Sequence, residues 1–477
     1  MQDSMPSDLQ FYLVIKTELW NRLYKEKCLV DSSRLITIYG FYSSILANRR
    51  KIFIYLPPSY HTNEQQRYPV LYMQDGQHVF FADRKGDSWD VHRTADRLAA
   101  EGRMREIIVV AISHIEDARI AEYMHANPDG HNIFNTANQG ELYEQFLVQE
   151  VKPYIDRAYR TLPGKEHTAL MGSSAGGLVS YNIGFRQSDT FGMIGALCPF
   201  FVSVNPDTME ERWLSHVYTE KKDLKIWMDV GDAEGFTVME KHVRQVVDTL
   251  IRIGYEPGHD LMYYYAVGSG HAQKDWSARV HAPLLYFFGD IGTPVRVELR
   301  GSGVVGIQGP QQRFNAVVHF DSGYVMSDLN ARYEVADPSI LEVTADGTLM
   351  PKQTGKTVVT YHHYQLKAEA EVSVVPYISE TVTVKMVVKV PEHTPYTDRL
   401  YAGIELPMIG AGQYGGTFEV PRDMAFEFRI SRGLGMHETD RHGQEVPYRK
   451  FTVTDGLELY YEVENWVDAA EERAENR

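Results

Sequence analysis

The apolar runs of this 477-residue chain change character once, near residue 290, and that change limits the folds open to it. Upstream, β-rich runs alternate with helix-length patterns. The strand-like runs are Lys51–Tyr55, Val70–Met73, Ile107–Ile112, Thr168–Met171, Ile226–Val230 and Met262–Ala266. Between them, Val91–Glu101, Glu141–Tyr159 and Val238–Ile253 carry helical spacing, and Glu141–Tyr159 sets Leu142, Phe146, Val148, Val151 and Ile155 near one face. Short apolar strands alternating with helices imply a mostly parallel sheet covered on both sides. After Gly292 the helical patterns stop, and short strands separated by turns such as Ala345-Asp-Gly-Thr348 read as β-sandwiches. The expected architecture is an α/β domain over 35–290 and two all-β sandwiches, over 293–376 and 377–477. Residues 1–34 stand apart as an extension, with Leu9–Lys27 expected to be helical.

Composition narrows the function classes. With 64 acidic and 48 basic side chains the net charge is −16, which argues against general affinity for nucleic acid or anionic lipid. No apolar run approaches the ~18–20 residues of a membrane span. Cys28 and Cys198, far apart in sequence, exclude a disulfide scaffold and allow at most one bridge that nothing in the sequence supports, and no Cys-x-x-Cys or His-x-x-x-His spacing marks a structural zinc. No metal or organic cofactor is expected. Met1–Leu9 is polar and has no basic segment leading into an apolar one, so the expected location is cytoplasmic, or secreted if a signal has been removed.

One constellation carries chemistry. Gly172-Ser-Ser-Ala-Gly176 fits Gly-x-Ser-x-Gly with Ser174 in the nucleophile position. By chance a chain this long meets the bare pattern roughly 0.2 times. Context strengthens the match, because the motif follows the strand Thr168–Met171 and precedes the helix-like Leu178–Phe185, the strand-turn-helix setting of a nucleophile elbow. A serine hydroxyl is a weak nucleophile and needs a base oriented by a carboxylate. Of 18 histidines, His271 alone after Ser174 sits in a glycine-rich loop just past a strand. The acid is expected in Gly231-Asp-Ala-Glu-Gly235, with Glu234 preferred and Asp232 the local competitor; either also reads as a helix cap. The oxyanion donors are expected to be the Ala175 amide and an amide from Gln74-Asp-Gly-Gln77, supplied by Gly76 or Gln77.

Tyr55-Leu-Pro-Pro-Ser-Tyr60, Tyr68-Pro-Val-Leu-Tyr-Met-Gln-Asp-Gly-Gln77 and Gly172-Ser-Ser-Ala-Gly-Gly177 together resemble the putative esterase family of α/β-hydrolases. That family holds enterochelin esterases, feruloyl esterases, esterase D and the antigen 85 mycolyltransferases. The resemblance covers about 35–290 and implies Ser174 as nucleophile, His271 as base and an acid in the 231–235 loop. The family's Gly-x-x-Asp/Glu pattern there supports Glu234. Arg119-Ile-Ala-Glu-Tyr123 resembles a family stretch beside the active site, although a buried structural pairing of Arg119 with Glu122 is an equal reading. Asp337-Pro-Ser-Ile-Leu-Glu-Val343 with Ala345-Asp-Gly-Thr-Leu349 resembles a group 2 bacterial immunoglobulin-like domain. Phe426–Gly433 with His442-Gly-Gln-Glu445 resembles a starch-binding-like sandwich. Only Trp466, of six tryptophans, lies beyond residue 276, so sugar stacking by that sandwich is not expected, and a spacer, a pocket cap or a dimer contact are equal readings. The expected function is hydrolysis of a small-molecule or glycan-linked carboxylic ester, with feruloyl and siderophore esters among the classes implied. The alternatives are an acyltransferase on the same residues and a non-catalytic glycan- or surface-binding protein.

Overall fold

The computed structural model describes residues 34–83, 86–126, 137–204, 210–234, 239–422, 424–433 and 436–468. The helix expected over Leu9–Lys27 and Cys28 lie outside the described residues. The first domain is built on eight strands: β1 (Leu35–Ser43), β2 (Asn48–Tyr55), β3 (Val70–Met73), β4 (Ile108–Ile112), β5 (Thr168–Ser173), β6 (Met193–Leu197), β7 (Lys225–Ala233) and β8 (Leu261–Gly270). Their order across the sheet is β1-β2-β4-β3-β5-β6-β7-β8. The β1–β2 and β2–β4 pairings are antiparallel and the rest parallel, so β3 to β8 all end on the same edge. Strands β3 to β6 are buried along their whole length, which is why they read as unbroken apolar runs. This is an α/β-hydrolase fold.

Two strands escape a periodicity reading. β1 is half exposed at the antiparallel edge, and β6 is five residues, Met193-Ile-Gly-Ala-Leu197. Its glycine is a packing requirement, since a Cβ on Gly195 would stand 2.7 Å from the Met171 side chain. The expected helix Glu141–Tyr159 is present but not uniform. An α segment, Gly140–Gln145, passes through a π turn, Phe146–Val151, into a second α segment, Lys152–Ala158. Pro153 explains the interruption: it has no N–H to give, and its ring crowds the carbonyl of Gln149 one turn back.

Beyond residue 292 the chain is all β, with helical residues only at 467–468 among those described. Strands Pro294–Arg300, Asn315–Phe320 and Val325–Ser327 form one sheet, and Val304–Gln308, Leu366–Tyr377, Gly355–His363 and Arg332–Val335 form a second. This unit shares a core with the first domain. Tyr324 is fully buried against Trp227 of β7, and Tyr265 of β8 donates its amide to Ser327 Oγ at 3.0 Å. The edge strand β8 is thereby covered, as exposed edges must be. The last unit has its own core around Val384, Met386, Leu406 and Ile430. Its strand Thr381–Lys389 alternates inward and outward as a one-sided sheet requires. Trp466 is fully buried, its Nε1 donating to Thr394 Oγ1 at 2.9 Å, so it presents no face to a sugar.

Candidate active site

The loops leaving the common edge of β3, β5, β7 and β8 bring the sequence motifs together. β5 ends at Ser173, and Ser174 turns the chain into the helix Ala175–Arg186 with φ 56° and ψ −127°. A non-glycine residue there costs on the order of 1–3 kcal/mol and persists only where its surroundings enforce it. The Ser174 amide donates to the Leu197 carbonyl at 3.1 Å, and its carbonyl accepts from the amides of Leu178 and Phe200 at 3.0 and 3.1 Å. The motif glycines are steric necessities. A Cβ on Gly172 would stand 2.5 Å from the Gly176 carbonyl oxygen, and one on Gly176 would stand 3.0 Å from Asp75 Oδ2. Ala175 occupies the first helical position, where the amide has no intrahelical acceptor.

β7 and β8 deliver the acid and base loops. His271 Nδ1 lies 2.6 Å from Glu234 Oε2, and Glu234 Oε1 accepts the Gly231 amide at 2.6 Å. Asp232 faces elsewhere: the two strands run on through the expected loop positions, and its carboxylate accepts the Gly268 amide at 2.6 Å, tying the ends of β7 and β8 together. The structure therefore brings Glu234, and not Asp232, against the imidazole. Behind Glu234, the buried Arg279 donates from Nε to Asp229 Oδ1 at 2.9 Å and places Nη2 3.8 Å from Glu234 Oε1. Asp229 also accepts Trp227 Nε1 at 2.8 Å. Two buried carboxylates thus share one guanidinium behind His271. The Trp276 ring stands edge-on to His271, with centroids 5.2 Å apart.

Trp276 Nε1 reaches Cys198 Sγ at 2.9 Å. The Cys198 sulfur, a Glu234 oxygen and a His271 nitrogen lie within 4.8 Å of one another, the one such donor cluster among the described residues. These donors fit hydrogen bonding better than metal ligation. Burial pushes the Cys198 thiol up towards its neutral form, and Glu234 and His271 already engage each other beside a fixed cation.

The loop after β3 is held equally firmly. Asp75 adopts φ 54°, and its carboxylate accepts Arg119 Nε and Nη2 at 2.7 and 2.8 Å and approaches His114 Nδ1 at 2.7 Å. Gly76 follows where no side chain fits, because a Cβ would lie 2.5 Å from the Ala111 carbonyl carbon. Gln77 Nε2 lies 2.8 Å from the His114 ring, and Gln77 Oε1 accepts the His114 amide at 3.2 Å. The reading of Arg119 paired with Glu122 is corrected: Glu122 lies in a fully buried ion pair with Arg50, at 2.7 Å, while Arg119 anchors Asp75. The i, i+3 spacing would let the two meet, but each is taken by a partner from another element, Asp75 after β3 and Arg50 on β2.

Burial alone would raise the Asp75 carboxyl, but Arg119 and His114 outweigh it and hold it well below the usual carboxylate range. A lowered native pKa contributes stability that is complete above the unfolded value, near ~3.9, and is lost as the pH falls from there through the native value. Arg119→Met is therefore expected to lower the urea midpoint more at pH 7 than at pH 3. Equal losses at both pH values would contradict this account of the loop.

Asp229, Arg279, Cys198 and Trp276 have no motif to announce them. The available signal was Asp229 itself, a charge inside the apolar run Ile226–Val230, since buried acids demand a partner.

A family model described as "Putative esterase" matches residues 43–287. An endo-1,4-beta-xylanase/feruloyl esterase of Xylanibacter ruminicola is 29% identical over 168 residues, which are 33% of this chain and 20% of that protein. This chain thus spans about a fifth of that relative's length. A CE1 ferulic acid esterase from Anaeromyces mucronatus, solved with ferulic acid, is 22% identical at a TM-score of 0.41, covering 53% of this chain and 89% of that one. The enterobactin esterase of Shigella flexneri is 17% identical at a TM-score of 0.41, over 53% and 59% of the two chains.

Proposed function

The chain belongs to the putative esterase family and is a carboxylesterase-type hydrolase, and from that premise we propose that it works through a Ser174–His271–Glu234 triad. The observation that carries this reading is the 2.6 Å contact between His271 Nδ1 and the buried Glu234, on the same sheet edge as the strained turn at Ser174. With Nδ1 held, Nε2 is left to take the Ser174 proton as Oγ attacks the ester carbonyl. The Ala175 amide and an amide of the Gly76–Gln77 turn receive the developing oxyanion, and His271 returns the proton to the departing alcohol. Water then enters with His271 again as base, and the acid leaves Ser174. The Glu234 carboxylate faces the imidazolium as it forms, and Arg279 stands behind it at 3.8 Å.

The acyl class is proposed from the relatives' names. A feruloyl-type aryl ester is the first choice, with siderophore trilactones and short acyl esters as comparison. Purified protein is expected to release free acid from at least one of these, measured as p-nitrophenol, ferulate or ring-opened trilactone. If no ester in the panel is hydrolysed, the reading fails. If acyl groups pass to an added sugar or alcohol in preference to water, the acyltransferase alternative replaces it.

A further inference from the structure

We infer that the last β-sandwich is a working part of the catalytic unit, its Glu427 positioning the His271 loop through Lys274. This rests on the triad reading above and assigns a task to a domain whose sugar-binding face is absent at its one tryptophan. Glu427 lies on strand Ala425–Phe428, and its side chain is 5% exposed. Its Oε1 accepts Lys274 Nζ at 2.6 Å, across 153 residues of sequence, and its Oε2 lies 3.2 Å from Lys450 Nζ. The same carboxylate closes on the other side of the histidine, where a Cβ on Gly270 would stand 3.3 Å from Glu427 Oε2. Glu427 thus lies close to the chain just before His271, at Gly270, and binds it three residues after, at Lys274.

Lys274 is further fixed by the Tyr448 ring, whose centroid is 4.6 Å from Nζ, and the Arg429 guanidinium lies 4.6 Å from the same ring. The segment so held is the short helix Gln273–Arg279. This helix also carries Trp276, edge-on to His271, and Arg279, which reaches Glu234 and Asp229. A shift of its first turn moves the imidazole and the support of its acid together. Misplacement of a reacting group by about 1 Å costs on the order of 100-fold in rate, so a partial loosening is expected to cost about tenfold.

Glu427 is buried among cations, and removing one partner strands the other charge, so the pair is tested as a pair. In the full chain, Glu427→Gln, Lys274→Met, the double variant and the exchange Lys274→Glu with Glu427→Lys are to be assayed on the ester the wild type turns over best. The expected result, assayed well below the melting temperature of every variant, is a kcat about tenfold lower in each single variant with KM within about twofold. The double variant falls no further than the singles, and the exchanged pair recovers part of the loss. Wild-type kcat in both single variants overturns the inference while leaving the triad intact. A loss that follows melting temperature describes stability alone, and one that adds across the two sites describes uncoupled residues; either overturns it as well. A wild type inert on every ester overturns the triad and this inference with it.

Discussion

Ser174→Ala is expected to lower kcat on every ester by about 10⁴-fold or more, with the unfolding midpoint unchanged. Alanine keeps the small side chain that the turn between Gly172 and Gly176 tolerates, and it occupies φ 56° no worse than serine does. The amides at Ala175 and in the Gly76–Gln77 turn remain in place. What disappears is the only atom able to form the acyl-enzyme, so the residual rate is that of oriented water near an oxyanion site. Steady-state kinetics on a p-nitrophenyl ester and on the best natural-type ester read the effect. Turnover that survives at a tenth of the wild-type rate would place the nucleophile elsewhere.

Glu234→Gln is expected to cost about 10²–10⁴-fold in kcat, and Asp232→Asn less than about threefold. Glu234 accepts two hydrogen bonds at once, from His271 Nδ1–H and the Gly231 amide, both at 2.6 Å. A glutamine has one carbonyl oxygen for these two donors, and its NH₂ group set against Nδ1 favours the tautomer in which Nε2 carries the proton and cannot act as base. It also withdraws the negative charge that stabilises the imidazolium. Asp232 accepts one amide, from Gly268, and an asparagine oxygen still accepts it. The pair of measurements is decisive because the residues stand two positions apart at the end of β7: a larger loss at Asp232 than at Glu234 would reverse the assignment.

Much of this site was legible because its chemistry is local. Ser174 is marked by glycines that the turn demands, and His271 by a glycine loop at the end of an apolar strand. Most of the parallel strands announced themselves as apolar runs because both their faces are buried, with Asp229 as the informative exception, whereas the five-residue β6 did not. What stayed hidden depends on topology. Arg279 and Asp229 lie 50 residues apart and meet only because β7 and the helix after β8 are neighbours in the fold. Arg119 and Glu122 stand close in sequence yet serve Asp75 and Arg50 respectively, and no spacing rule foretells which partner each finds. The contact of Glu427 with Lys274 required knowing that the last sandwich sits on the ends of β7 and β8. The break in the helix at Phe146–Val151 could have been read from Pro153, whose missing N–H interrupts any α pattern.

The central claim is that an ester's acyl group passes through Ser174. It is tested by mixing the protein with an aryl phosphonate or a slowly deacylating aryl ester, quenching in acid, and measuring intact and peptide masses. The account predicts one adduct per chain, carried by the peptide containing Ser174 and absent from Ser174→Ala, with His271→Ala slowing its formation by at least about 100-fold. An adduct on another residue, or steady ester turnover with no adduct at Ser174, would contradict it.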